Sequence, residues 1–290
     1  MTAFFRSFRN YLSLVRFSHT VFAMPFALIG FTLAISRDSG IFSIRLLLLI
    51  ILCMILARNA AMGFNRITDR KVDAMNPRTR NREIPSGKIS SASASVFVAV
   101  NSLLFIIAAG LINRLTLILS PLALLIILGY SLTKRFTPLC HFILGLGLSL
   151  APIGAYISVT GHFALLPLLY SFIVLTWVSG FDIIYSLMDD SFDRENRLYS
   201  IPSALGIRKA ITISVFVHLL TIILVIVAGL AGKGQFLFRT GALIFISLLI
   251  YQHLIVKHND LSRVNLAFGT TNGIASIVFA VFVILDLTLL

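Results

Sequence analysis

Nine apolar runs, at 19–36, 44–64, 91–112, 115–132, 138–160, 163–180, 209–230, 237–256 and 266–288, decide what this chain can fold into. Each spans about 17 to 23 residues, the length that crosses a bilayer core as an α-helix. In hydrocarbon only helices and closed barrels satisfy their own backbone hydrogen bonds, and the short alternating strands of a barrel are absent from this sequence. Charged residues make up 12% of the 290, against roughly 25% in a soluble domain. With a mean hydropathy of +0.98, a soluble globule is excluded. The sequence predicts an all-α polytopic membrane protein of nine transmembrane helices, one membrane-embedded domain over 1–290.

Ahead of the first run, Phe4, Phe8, Leu12 and Val15 form an apolar stripe with Arg6 and Arg9 off it. That pattern predicts a helix lying in the membrane interface over 1–18, and lipid anchoring explains it without any substrate role. The first apolar run is too long for a signal h-region and lacks a small-residue cleavage site, so the N-terminus is expected to stay attached. With nine spans, one side carries the N-terminus, the loops 65–90 and 181–208, and 19 of the 24 Lys and Arg residues. That side is expected to face the cytoplasm, in a bacterial cell from the inner membrane. The net charge of +13 is then topological. A nucleic-acid partner would need a soluble basic surface instead.

Against this background, two segments hold six of the eleven acidic residues: 65–73, N-R-I-T-D-R-K-V-D, and 182–193, D-I-I-Y-S-L-M-D-D-S-F-D. Asn65, Asp69 and Asp73 are spaced by four, so on a helix their oxygens stack along one face. Asp182, Tyr185, Asp189 and Asp193 follow at offsets of three, seven and eleven, again one face. A solvated acidic face is the plainer reading. Two matched sets interrupting apolar runs beside a bilayer are costly, and such groups are functional by default. Carboxylate and amide oxygens suit Mg²⁺, which is usually shared between one or two carboxylates and substrate phosphates. The two oxygen-rich faces are therefore candidates to hold a metal, and a diphosphate is the natural substrate group.

Other polar residues carry less. Cys53 and Cys140 are read as packing residues, not a pair. The six histidines lack ligand spacing with cysteine, so zinc is not expected. Asp190 completes a D-D-x-x-D string but points about 100° away from its neighbours on a helix.

The motifs and their surroundings resemble the UbiA-type membrane prenyltransferases. Asn65, Asp69 and Asp73 look like that family's N-x-x-x-D-x-x-x-D motif, and Asp189 and Asp193 like its second D-x-x-x-D. Arg78-Thr79 with Arg82-Glu83-Ile84-Pro85-Ser86-Gly87, the segment Gly129 to Thr137, and Gly180 to Tyr185 leading to Ser200-Ile201-Pro202 are also similar. Asn265, Phe268 and Asn272-Gly273 look family-like too, although small and amide residues there are explained by helix packing alone. The likeness covers nearly the whole chain, and nine helices is the family's architecture.

The resemblance implies transfer of a polyprenyl group from a polyprenyl diphosphate to an aromatic acid, with Mg²⁺ as cofactor. Mg²⁺ between the two acidic faces would stabilise charge on the departing oxygens. Arg58, Lys134, Tyr130 and Tyr185 are the expected diphosphate partners, although Lys134-Arg135 is equally explained as a positive-inside anchor. Asp182 is the candidate proton acceptor, with the holding of a basic side chain as its alternative role. A buried acceptor carboxylate needs a cation, and Arg135, one position round the helix from Lys134, is expected to supply it, with Arg16 next in line. Arg16-Phe17-Ser18-His19-Thr20 and Leu150 to Ala155 look like the quinone branch. The implied acceptor is 4-hydroxybenzoate, with a dihydroxynaphthoate as the alternative. A transporter for a cation or phosphate-bearing solute is the reading from another class, but its site is expected near the midplane.

Overall fold

The computed structural model describes residues 2–15, 22–38 and 41–289. Each apolar run of the sequence becomes a helix: α2 (Met24–Arg37), α3 (Ile44–Thr68), α5 (Ser91–Ile112), α6 (Arg114–Thr133), α7 (Cys140–Thr160), α8 (Leu165–Ser186), α11 (Ile207–Ala231), α12 (Phe236–Ile255) and α13 (Asn272–Leu289). Among the described residues, eight helical stretches are long and apolar enough to cross a membrane, while α2, with 14 residues, is shorter. Pro25 sits in its first turn, where a missing N–H costs nothing. Between the long helices lie α1 (Thr2–Val15), α4 (Arg70–Met75), α9 (Asp190–Glu195) and α10 (Ile201–Leu205).

The most buried spanning helix is α8, which packs chiefly against α7 and α11. Close approach is built into its sequence neighbours. A Cβ at Gly145 of α7 would lie 2.5 Å from the Leu175 carbonyl of α8, and one at Gly180 would lie 2.3 Å from the His218 ring of α11. Only glycine fits at these crossings. Trp177, Phe26, Phe245 and Phe279 form the aromatic centre of the core, while Leu103 and Ile107 of α5, Leu125 of α6 and Ile223 of α11 stay exposed, as lipid-facing positions do. On the far side from the acidic motifs, the Asp286 carboxylate accepts the backbone N–H groups of Gln235 (3.0 Å) and Phe238 (2.9 Å). It thereby caps the first turn of α12 from α13, an arrangement worth about 0.5–2 kcal/mol.

α1 covers the loop end of the bundle. Leu14 and Val15 pack on Ile84, Ile89 and Ala94, and Tyr11 stacks at 4.9 Å on Phe97. The interfacial helix expected over 1–18 is thus helical to Val15, and Arg16 lies outside the described residues.

Candidate active site

The helix of the first motif is interrupted at Asp69, yet its register survives. Asp69 N donates to Asn65 O at 2.9 Å and Asp73 N to Asp69 O at 2.7 Å, so the three side chains keep one face. The second motif follows α8 through a 3₁₀ turn, Leu187–Asp189, into α9. All its expected members, Asp182, Tyr185, Asp189 and Asp193, line the same cavity as the first motif. Asp190 instead pairs with Arg194 at 3.0 Å, consistent with its expected off-face position.

This polar cavity, of about 310 Å³, also takes in Arg58, Tyr130, Lys134 and Arg135. It meets a second, apolar cavity of about 430 Å³ between α3, α5, α6 and α7, walled by Ile50, Met54, Phe105, Ile126 and Ile157. Arg58, Met62, Tyr130, Leu144 and Leu148 line both and form the neck between them.

Each motif carboxylate holds a cation. Arg78 grips Asp189 through Nε at 3.1 Å and through Nη2, and its Nη1 donates to the Tyr185 hydroxyl at 2.8 Å. Arg82 Nη1 reaches both oxygens of Asp73, at 2.7 and 2.9 Å. Lys134 Nζ lies 2.8 Å from Asp193, and Arg135 lies 3.5 Å from Asp69. Burial raises the Asp69 carboxyl above the ordinary carboxylate range and the charge of Asp73 adds to it, with Arg135 and Lys134 pulling the other way. For Lys134 and Arg78, burial alone would lower the pKa. Asp193 and Asp189 respectively outweigh it, so both cations are held above their ordinary values.

Arg135 lines the cavity and is paired there with Asp69. The sequence reading separated it from Lys134 by one step round a helix, but α6 ends at Thr133, and both residues lie in the turn that follows. Freed from helical geometry, the two cations reach the two opposite motifs. Arg78, Arg82, Asn76 and His141 are cavity residues that the sequence reading did not assign to the site. For Arg78 and Arg82 the only signal was the family-like loop, because no helical period ties them to Asp189 or Asp73. Phe268, one of the family-like residues near the last helix, also lines the cavity and stacks on Tyr185 at 4.0 Å. It sits in a π-helical turn, Leu266–Thr271, held by Asn272 Nδ2 donating to Ala267 O at 2.8 Å while Trp177 Nε1 donates to Asn272 Oδ1 at 2.9 Å.

The donor set suits Mg²⁺. The Asp193 side chain is buried, with the Lys134 ammonium 2.8 Å from its carboxylate. Among the described residues no three Asp, Glu, His or Cys groups converge to cage an ion unaided. Mg²⁺ commonly takes one or two carboxylates and completes its shell with phosphate oxygens and water.

The sequence profile of the UbiA prenyltransferase family matches residues 23–282. This chain belongs to the UbiA prenyltransferase family. A UbiA homologue from Aeropyrum pernix K1 is 32% identical and superposes with a TM-score of 0.83, over 92% of this chain and 98% of that one. The 4-hydroxybenzoate octaprenyltransferases of Nitrosomonas eutropha and Aliivibrio fischeri are each 29% identical over 235 residues, 81% of this chain and 82% of theirs. A UbiA homologue from Archaeoglobus fulgidus bound to DMAPP and Mg²⁺, 20% identical, shares the fold with a TM-score of 0.76 over 97% of this chain and 100% of its own. The protein is thus an integral membrane prenyltransferase, and UbiA membership replaces the transporter reading.

Proposed function

We propose that this UbiA enzyme transfers a polyprenyl group from polyprenyl diphosphate to 4-hydroxybenzoate, in quinone biosynthesis, at a site facing the cytoplasm. The observation that carries this is one polar cavity, ringed by both carboxylate motifs and their cations, opening through a neck onto an apolar one. The polar end suits the diphosphate and the apolar end the allylic chain. The apolar cavity falls within the ~300–1,000 Å³ of ordinary small-ligand sites, so a long tail overruns it and continues between helices into lipid. The acceptor rests on the relatives named 4-hydroxybenzoate octaprenyltransferase.

Asn65, Asp69, Asp73, Asp189 and Asp193 would hold Mg²⁺, which supplies positive charge to the departing diphosphate oxygens. Lys134, Arg135, Arg78 and Arg82, now paired with the carboxylates, are within reach to turn onto phosphate oxygens, and the Tyr130 and Tyr185 hydroxyls can donate to them. Apolar walls keep water from the allylic carbon. Arg58, at the neck rather than among the motif carboxylates, is the cation for the acceptor's carboxylate, replacing Arg135 in that role.

Purified protein given radiolabelled polyprenyl diphosphate, Mg²⁺ and either aromatic acid is expected to prenylate 4-hydroxybenzoate. Prenylation of a dihydroxynaphthoate alone would move the enzyme to the menaquinone route, and prenylation of neither overturns the acceptor reading. The orientation has its own check. Arg80 is exposed in the 65–90 loop, so the thiol of Arg80→Cys should react with an impermeant reagent only once the cytoplasmic side is opened. Labelling of intact cells reverses the orientation.

A further inference from the structure

Asp182 is the cavity carboxylate whose partner is not a cation of the motifs. It lies in the last turn of α8, opposite His141 in the first turn of α7. The close approach at Gly145 brings these turns together, and Ser179 Oγ ties them by donating to His141 O at 3.2 Å. His141 Nδ1 is 2.7 Å from Asp182 Oδ2, and the backbone N–H of Ile201 lies 3.3 Å from His141 Nε2. An amide N–H can only donate, so Nε2 accepts, and a neutral imidazole carries its proton on Nδ1 and gives that hydrogen bond to Asp182. The imidazole is fully buried while the carboxylate opens on the cavity. Among the described residues, Asp182 Oδ1 has no protein partner.

Depth completes the case. Asp182 precedes Asp189 by seven residues, placing it about 10 Å further into the bundle, among Val178, Phe181 and Leu144. With the diphosphate at the motif carboxylates, that is the level of the allylic carbon and of the ring that attacks it.

We infer that Asp182 is the base that removes the ring proton and that His141 is its positioning residue. The inference rests on the aromatic-acid reading above. In the step, the carbon–oxygen bond to diphosphate breaks and its electron pair leaves with the diphosphate. A ring π pair forms the new carbon–carbon bond. Asp182 Oδ1 then takes the proton from the substituted ring carbon, and that C–H pair restores aromaticity. The motif carboxylates are poorer candidates, because each is already engaged by a cation at the level of the diphosphate. Asp182 meets one buried imidazole, whose hydrogen bond to Oδ2 fixes the rotamer and leaves Oδ1 toward the cavity.

The test uses the full-length enzyme with 4-hydroxybenzoate carrying hydrogen or deuterium at the attacked position. Asp182→Asn, which keeps an acceptor for His141, is expected to lose prenylated product by about 10²-fold or more, the scale of removing a general base. It should still release diphosphate as the allylic cation is lost to water. Its deuterium isotope effect on product formation should rise above that of the wild type, because proton removal becomes slow. His141→Leu should show the same rise, and His141→Asn, which restores a donor near the Nδ1 position, should reverse most of it. An isotope effect equal to wild type in slow Asp182→Asn and His141→Leu enzymes would reduce the pair to a structural link and overturn the inference. A wild-type enzyme that prenylates no aromatic acid overturns the acceptor reading itself, an outcome distinct from unequal isotope effects among active variants.

Discussion

Asp189→Ala is expected to lower turnover by ~10²-fold or more, the scale of losing a key electrostatic stabiliser of a developing charge. The geometry adds a second consequence. Asp189 is 8% exposed and holds Arg78 by two nitrogens, with Asn76 Nδ2 at 3.4 Å. Removing one partner of such a pair leaves an uncompensated charge, at a cost of about 3–5 kcal/mol where the pair is buried and less here, because the Arg78 side chain is 34% exposed. Lost turnover could then be mistaken for lost fold. The double variant Asp189→Ala with Arg78→Ala separates the two, since it removes both charges. Its thermal unfolding midpoint in detergent should return toward the wild type while its turnover stays low. Near-normal turnover in Asp189→Ala at saturating Mg²⁺ would remove the second motif from the chemistry.

The spans, both motifs and their meeting in one cavity were legible because each rests on a local period. Nine apolar runs announce helices, and offsets of three, four, seven and eleven announce shared faces, even where the helix is interrupted at Asp69 or tightened at Asp189. What stayed hidden was long-range pairing. Arg78 and Asp189 are 111 residues apart and His141 and Asp182 are 41 apart, and no spacing encodes either contact. Arg135 lies past the end of α6, where the chain turns and helical spacing alone does not set its partner, Asp69. The π-helical turn that carries Phe268 over Tyr185 was illegible for a related reason, because the Asn272 side chain that bonds its Ala267 carbonyl is itself held by Trp177 on another helix.

Arg58→Ala should raise the KM for the aromatic acid by about 10²-fold and leave that for the prenyl diphosphate within a few-fold. A carboxylate bound away from water needs a cation, and losing one member of a desolvated charged pair costs 2–5 kcal/mol or more, roughly 30-fold upward. Arg58 stands seven residues before Asn65, about 10 Å deeper along α3 than the first motif ligand, and it lines both the polar and the apolar cavity. Arg135 and Lys134 do not share that position, since they lie with Asp69 and Asp193. Arg135→Ala should accordingly weaken the diphosphate and Mg²⁺ more than the acid. Arg58→Lys should recover only part of the loss, because an ammonium restores charge without the fork that matches a carboxylate. The kinetic signature is a KM effect on one substrate with kcat largely kept, as expected for a group that binds ground and transition states alike. If Arg58→Ala weakened only the prenyl diphosphate, Arg58 would return to the phosphate side, where the sequence reading put it. The acceptor's cation would then be sought in Arg66, buried on the same helix and lining the same polar cavity.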